Sequence, residues 1–247
     1  MKEARPTITF AIPFYAEAAY LGRAIESVLA QSYPHWELVV CDDSGSPPGA
    51  EPTVRSYTDG RIRYQRNERN LGLAANWNRC LDSARTDFVT LLHADDKLRA
   101  NYAETMIRSW QRSPEATALF SRAQIIDKAD RATFSFPDLV KRFLVPSRSQ
   151  PVVLQGAAGI EALLRGDFII CPTLCYRMGA LGSARFDERW RFATDFELIT
   201  RLILEGHTLV GVQDVAYDYR RHPDAATVKL TGNMRRFEEE VALYDEL

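Results

Sequence analysis

The chain has 247 residues, of which 46% are hydrophobic and 26% are charged, and its formal net charge is -2. This length and composition fit one large α/β domain, or one domain with a small appendage, around a sizeable core. The near-neutral charge and the lack of a long basic run make nucleic acid a poor partner. No apolar stretch approaches the roughly 18 residues of a membrane span, and residues 1–10 do not resemble a signal peptide. We therefore expect a cytoplasmic protein.

The four cysteines form neither a disulfide framework nor a zinc-binding pattern. Cys41 and Cys80 lie in apolar or helical patterns, and Cys171 and Cys175 have no second pair that would complete a metal site. We expect all four to be small buried residues in a reducing compartment.

The first 115 residues alternate between strand and helix patterns. Short apolar, β-rich runs predict strands at 7–12, 36–41, 61–66 and 87–92. Apolar residues at helical spacing predict one helix at about 17–31, a second with Trp77 and Cys80 on its apolar face, and a third with Met106 and Trp110. This order predicts a mostly parallel central sheet with helices on both faces, in which ligands bind beyond the carboxyl ends of the strands.

The second half of the chain is less regular. Its patterns predict, in chain order, an extended segment at 118–126, a polar insert at 128–152, a short helix at 159–165, a strand at 168–176, a helix at 194–205, two short strands that end near 221, and an amphipathic helix at 231–247. We interpret the insert as a mobile lid. The last helix has no glycine C-cap, which leaves open a contact with a partner.

Two acidic pairs follow predicted strands. Asp42 and Asp43 come directly after the strand at 36–41, and Asp95 and Asp96 come after the strand at 87–92. Taken alone, either pair could be a turn or a helix cap. The carboxyl ends of parallel strands meet at one edge of the sheet, however, where carboxylates could bind a ribose or a hard divalent ion that also holds phosphates.

The known glycine-rich phosphate motifs are missing. The sequence contains neither a P-loop nor a G-x-G-x-x-G fingerprint, and it has no G-x-S-x-G nucleophile elbow. Binding of phosphates would therefore require a metal and basic side chains.

Several segments match, in order, the motifs of one enzyme family. They are Ile12–Glu17, Ser27–Pro34, Glu37–Ser46, Asn70–Gly72, Leu91–Asp96, Thr194–Leu198 and Tyr219–Pro223. Together they resemble the family-2 glycosyltransferases, which are inverting enzymes with the GT-A fold, over about residues 7–223. The resemblance implies a single GT-A-like catalytic domain at 1–223, with a nucleotide-binding half at about 1–115, an acceptor-binding half at about 116–223 that includes a small mixed C-terminal part, and the amphipathic helix at 224–247.

The resemblance also implies a donor site for a nucleoside diphosphate sugar, with UDP as the default nucleotide. Pro13, Tyr15 and Glu17 would line the nucleoside pocket, and Asp43 with Asp42 would hold the base and the ribose. Further substrate contacts are expected from Asn70, His93, Trp190, Arg220 and Arg221.

The metal and the base are implied in the same way. Asp95 matches the last acid of the D-x-D motif and would bind Mn²⁺ or Mg²⁺ on the diphosphate, with help from His222. His93 departs from the motif, because it stands where the first acid is expected. Asp195 matches the acid that deprotonates the acceptor. Ala16 replaces an asparagine that is common in the family, which affects only a local turn.

The implied reaction is the transfer of a sugar to an acceptor hydroxyl by single displacement, in polysaccharide or glycoconjugate synthesis. The acceptor would be a carbohydrate or a glycolipid, and the last helix could contact a membrane surface or a second copy of the chain. Two alternatives stay open. A sugar-1-phosphate nucleotidyltransferase would normally carry a glycine- and arginine-rich loop, which residues 14–21 lack. A catalytically silent nucleotide-sugar-binding module would not need the acids at 43, 95 and 195.

Overall fold

The computed structural model describes residues 6–16, 19–46, 49–134, 150–222 and 234–246. The strands are β1 Ile8–Phe14, β2 Trp36–Asp42, β3 Ile62–Arg66, β4 Phe88–Leu91, β5 Lys97–Leu98, β6 Ala118–Ile126, β7 Val152–Leu154, β8 Leu174–Arg177 and β9 Leu209–Arg220. The helices are α1 Leu21–Leu29, α2 Glu51–Arg55, α3 Leu73–Asp82, α4 Tyr102–Arg112, α5 Gly156–Leu164, α6 Met178–Leu181, α7 Thr194–Leu204 and α8 Arg235–Glu246.

The described strands form one nine-stranded sheet in the order β3-β2-β1-β4-β8-β6-β9-β5, and β7 also pairs with β9. Strands β3, β2, β1 and β4 are parallel to one another. The other half is mixed, because β8 runs antiparallel to both β4 and β6 while β6 and β9 are parallel. The prediction of an α/β fold with a mostly parallel sheet and a mixed C-terminal part is confirmed.

Each face of the sheet buries its own apolar core. One core packs α1, α2 and α4 against side chains such as Phe10 and Leu38. The other packs α3, α5 and α7 against their neighbours in sequence, such as Ala11 and Val39. Successive side chains of a strand point to opposite faces, so continuous apolar runs are what a sheet covered on both sides requires.

Most of the predicted elements are found, with shifted ends. Two predictions in the second half are wrong. The strand predicted at 168–176 is a 3-10 turn at Cys171–Thr173 followed by the short β8, because Pro172 interrupts the run. The two short strands predicted before residue 221 are one twelve-residue strand, β9. The sequence pattern also did not indicate β5, β7 or α2.

Residues 135–149 of the predicted lid lie outside the described residues, as does Glu17. The start of the insert is a tight turn, in which the Asp127 carboxylate accepts hydrogen bonds from the backbone N–H groups of Ala129 (2.8 Å) and Arg131 (3.0 Å). Among the described residues, no helix combines the length and the apolar character that a bilayer span requires.

Candidate active site

The carboxyl ends of β1, β2 and β4 meet at one edge of the sheet. Phe14 is opposite Asp42 in the β1–β2 register, and Ala11 is opposite Leu91 in the β1–β4 register. The parallel register therefore places both acidic pairs just beyond the same edge, as predicted from the strand order.

Asp43 is buried, and its carboxylate organises the loop before α3. Its oxygens accept hydrogen bonds from the backbone N–H groups of Leu71 (2.8 Å) and Gly72 (3.0 Å) and from the Asn67 amide (2.9 Å). The Asn70 side chain donates to the Asp43 carbonyl oxygen at 3.0 Å. Gly72 has a φ of 90°, a conformation that favours glycine. The N-x-G segment is thus shaped by Asp43.

Asp42 is also buried, and protein groups surround its carboxylate. It accepts hydrogen bonds from the backbone N–H groups of Ser44 (2.9 Å) and Ala50 (3.0 Å) and from the Tyr64 hydroxyl (2.9 Å). Burial and the Asp42 carboxylate raise the pKa of the Tyr64 hydroxyl well above its usual range. Asp42 therefore shapes the floor of the predicted nucleoside site. The predicted wall residues Pro13 and Tyr15 follow at the end of β1, where the Tyr15 side chain is 63% exposed.

The loop after β4 carries a cluster of potential metal ligands. One ligand atom from each of His93, Asp95 and Asp96 lies within 4.8 Å of the others. The Nε2 atom of His93 is buried and has no hydrogen-bond partner among the described residues. Burial lowers the pKa of His93, which favours the neutral imidazole that can ligate a metal. Carboxylate oxygens and an imidazole nitrogen fit Mn²⁺, and the oxygens alone fit Mg²⁺.

His222, at the end of β9, reaches this cluster. Its Nε2 atom lies 3.0 Å from Oδ2 of Asp95. Burial opposes the charge of Asp95, but the hydrogen bond with His222 and the nearby His93 ring hold the pKa of Asp95 below its usual value. Asp96 is completely buried and accepts hydrogen bonds from the Tyr217 hydroxyl (3.0 Å) and the Arg220 backbone N–H (2.7 Å). Burial raises the pKa of Asp96, and the neighbouring charge of Asp95 adds to this effect.

The Arg220 side chain is buried and binds other groups of the protein. Its guanidinium is fully buried, pairs with Asp130 at 2.5 Å and lies 4.5 Å from the centre of the Tyr20 ring. It also donates to the backbone carbonyl oxygens of Asp95 (2.6 Å) and Asp127 (2.7 Å). Arg220 therefore fixes the backbone of the metal-ligand loop. Of the two predicted phosphate-binding arginines, the partly exposed Arg221 remains the better placed.

The predicted base, Asp195, is half-buried in the first turn of α7. Burial raises the pKa of the Tyr176 hydroxyl, and the charges of Cys171 and Asp195 add to this effect. The segment before α7 is held by Asn78 of α3, whose side-chain amide exchanges two hydrogen bonds, of 2.9 and 2.8 Å, with the backbone of Phe186.

Trp77 links residues 186–195, which we call the base segment because they end at the predicted base Asp195, to the metal-ligand cluster. Its ring centre lies 5.1 Å from that of Phe186 and 5.3 Å from that of His93. Helix α3 therefore contacts both parts of the predicted site through adjacent side chains, Trp77 and Asn78.

Trp190 was expected to contact the acceptor, but its ring packs inside the protein. Only 6% of the residue is exposed, and it packs with Ala193 and with Leu243 of α8. Its indole N–H has no hydrogen-bond partner among the described residues. The side chain thus contributes to docking of the C-terminal helix.

Four residues of this region were missed as site residues. Asp96 could have been found from the acidic pair, since it follows Asp95 directly. Tyr217, Asp130 and Glu239 give no local signal, because their partners lie far away in the sequence.

Comparison with known proteins identifies the family. Residues 9–165 match Glycosyl transferase family 2, and this is more than half of the chain. The chain therefore belongs to glycosyl transferase family 2, as the resemblance predicted. The match ends before the predicted base segment.

Two relatives illustrate the similarity. EpsE of Bacillus subtilis (strain 168), described as a putative glycosyltransferase, is 28% identical over 226 residues, which are 89% of this chain and 75% of EpsE. WfgD of Escherichia coli, described as a UDP-Glc:alpha-D-GlcNAc-diphosphoundecaprenol beta-1,3-glucosyltransferase, is 35% identical over 100 residues, which are 40% of this chain and 39% of WfgD.

A solved structure shares the fold. The mannosyltransferase PcManGT from Pyrobaculum calidifontis, in complex with GDP-Man and Mn²⁺, superimposes with a TM-score of 0.72 at 17% identity. The superposition covers 99% of this chain and 64% of PcManGT. The fold is thus GT-A. The chain spans about two fifths of the length of WfgD and 64% of the length of PcManGT.

Proposed function

We propose that this protein is an inverting glycosyltransferase that moves a sugar from a nucleoside diphosphate sugar to an acceptor hydroxyl by single displacement. The observation that carries the proposal is the convergence of the metal-ligand cluster, the Asp43-ordered loop and the base segment around α3 and the carboxyl edge of the sheet. We assign the nucleotide to residues 1–115 and the acceptor to residues 116–223. The reaction would take place in the cytoplasm.

The donor would bind with its nucleoside against the edge formed by β1 and β2. Pro13, Tyr15 and Asn70 would contact it directly, while the buried Asp42 and Asp43 would hold the surrounding loops in place. UDP is the default nucleotide. WfgD is described with UDP-Glc, and PcManGT is bound to GDP-Man. These two proteins use different nucleotides, so the nucleobase of the donor has to be identified by experiment.

A divalent metal would be held by Asp95 and His93, with His222 at Asp95. A bound cation would neutralise the negative charge that develops on the departing diphosphate. The buried, unpartnered Nε2 of His93 supports Mn²⁺ over Mg²⁺, because imidazole is a poor ligand for magnesium. Arg221 would supply a further positive charge at the same edge.

Asp195 would remove the proton of the acceptor hydroxyl. Positioning of the acceptor oxygen against the anomeric carbon can contribute on the order of 7–11 kcal/mol, and a well-placed carboxylate adds about 10²–10⁴-fold. The contacts of Asn78 and Trp77 with Phe186 support a fixed position for this segment. A carbohydrate or glycolipid acceptor in polysaccharide or glycoconjugate synthesis is favoured by the description of WfgD.

The test is to incubate the protein with a panel of nucleoside diphosphate sugars and Mn²⁺ and to measure the released nucleoside diphosphate. Slow hydrolysis of one donor, lost on chelation, is the expected result. A sugar-1-phosphate nucleotidyltransferase would instead release pyrophosphate from a nucleoside triphosphate and a sugar phosphate. A silent binding module would show nucleotide-dependent stabilisation without release of product from any donor, and this would contradict the proposal.

A further inference from the structure

A carboxylate of the C-terminal helix, α8, binds the backbone just before the predicted base, Asp195. Oε2 of Glu239, in α8, accepts hydrogen bonds from the backbone N–H groups of Arg191 (2.9 Å), Phe192 (2.7 Å) and Ala193 (3.2 Å). Glu239 itself is buried, with 8% of its surface exposed. Its other oxygen accepts a hydrogen bond from Arg235 at 3.0 Å.

These three N–H groups belong to Ala193, the N-cap residue of α7, and to the two residues that precede it. The N-cap residue of this helix is Ala193, and no side-chain hydrogen bond from it caps the helix. The first N–H groups of a helix have no partner within the helix, and the helix dipole makes this end attractive to a negative charge. Glu239 accepts a hydrogen bond from one of these groups, the N–H of Ala193, and places a negative charge beside this end of the helix from 46 positions away in the sequence.

The contact with the backbone favours the charged form of Glu239. Burial alone would raise the pKa of this carboxyl group, but the three backbone N–H groups and Arg235 hold it below its usual value. Other contacts hold α8 in the same place. Leu243 packs against Trp190, the Tyr244 ring lies 6.1 Å from that of Phe196, and Glu246 pairs with Arg189 at 3.2 Å.

We propose that Glu239 is a positioning residue, which acts through α8 to fix residues 191–193 and therefore the orientation of Asp195 two residues further on. The inference rests on the proposed function, since it assumes that Asp195 is the base. Donor binding does not depend on this contact, because the Asp43 loop and the metal-ligand cluster are held by other groups. Loss of the contact would therefore reduce turnover and leave nucleotide affinity unchanged.

The test compares Glu239→Ala and Glu239→Gln with Glu238→Gln, a control on the same helix whose side chain is exposed. In Glu239→Ala we expect kcat to fall about 10- to 100-fold, since a shift of about 1 Å can cost this much. Gln keeps one oxygen acceptor and should restore part of the loss. The Kd for nucleotide with Mn²⁺ should stay within about twofold. Glu238→Gln should behave as the parent.

Hydrogen exchange supplies a readout that does not depend on activity. The amides of residues 191–195 should exchange faster in Glu239→Ala than in the parent, with a smaller increase in Glu239→Gln. If the alanine variant does not fold, the glutamine variant alone provides the test. An unchanged kcat in both variants, with Asp195→Asn inactive, would overturn the inference and leave the proposed function intact. Parental turnover in Asp195→Asn would instead contradict the base assignment itself.

Discussion

The Nε2 atom of His222 lies 3.0 Å from Oδ2 of Asp95, across 127 positions of sequence. The contact joins the end of β9 to the loop after β4, and it brings the C-terminal motif of the family next to the D-x-D position. The His222 side chain is only 5% exposed, whereas that of Asp95 is 33% exposed. The Asp95 side chain is thus the more accessible of the two, and the buried His222 holds it by this contact.

The first prediction concerns the metal ligands. Asp95→Ala should abolish the effect of Mn²⁺ on nucleotide binding, because it removes the most exposed carboxylate of the cluster. His93→Asp should improve binding with Mg²⁺ relative to Mn²⁺, because it replaces nitrogen by a harder oxygen ligand. Titration calorimetry of the nucleotide with each cation measures both effects. An Asp95→Ala variant that still responds fully to Mn²⁺ would move the metal site elsewhere.

The second prediction concerns Arg220. Arg220→Met should lower the free energy of unfolding by about 2–4 kcal/mol, because it removes a buried guanidinium that pairs with the partly exposed Asp130 and leaves two backbone carbonyls without their charged donor. The matched variant Arg221→Met, at a partly exposed neighbouring position, should cost less than about 1 kcal/mol. Urea denaturation of both variants is the measurement. Similar losses in the two would contradict a structural role specific to Arg220.

The third prediction concerns the Asp43 loop. Asp43→Ala leaves the backbone N–H groups of Leu71 and Gly72 without their acceptor, so residues 68–72 should exchange their amide protons faster and become sensitive to protease. Nucleotide binding should weaken as the loop loses its order. Asp82→Ala is the control, because Asp82 forms an exposed pair with Arg185 and no part of this loop. Equal protection of the loop in Asp43→Ala and the parent would contradict this role.

The fourth prediction concerns pH and the docking of α8. The pKa of Glu239 is lower in the folded protein, so its contribution to stability is present above the usual pKa of about 4.3 and is lost as pH falls through the folded value. The difference in Tm between the parent and Glu239→Gln should therefore shrink between about pH 6 and pH 3. Arg235, which faces Glu239 from the same helix, stays charged throughout. A constant difference over this range would contradict the assignment of the charge.

Local sequence patterns predicted the elements that carry periodic signals. The α4 residues Met106 and Trp110 are buried as expected, and β6 has the predicted bounds. The acidic pairs could be assigned to the sheet edge because the carboxyl ends of parallel strands lie at the same edge. The interruption at Pro172 could have been predicted, since a proline disfavours a strand interior. The length of β9 could not, since it depends on pairing with distant strands.

The supporting contacts of the site were not visible in the sequence for the same reason. Nothing near Glu239 indicates that it binds the backbone of residues 191–193, and nothing near Arg220 indicates that its partner is Asp130. Asp42 and Trp190 were expected at the substrate because residue type and motif suggested it. Their burial is a tertiary property, which a motif does not encode.

If Asp195 is the base of a single displacement, Asp195→Asn should lose turnover while it still binds the donor nucleotide. The measurement is kcat with the best donor and acceptor, beside the Kd for the donor nucleotide in the presence of Mn²⁺. We predict a loss in kcat of about 10²-fold or more with nearly unchanged nucleotide affinity, because the amide cannot accept the proton. Turnover within about threefold of the parent would exclude Asp195 as the base.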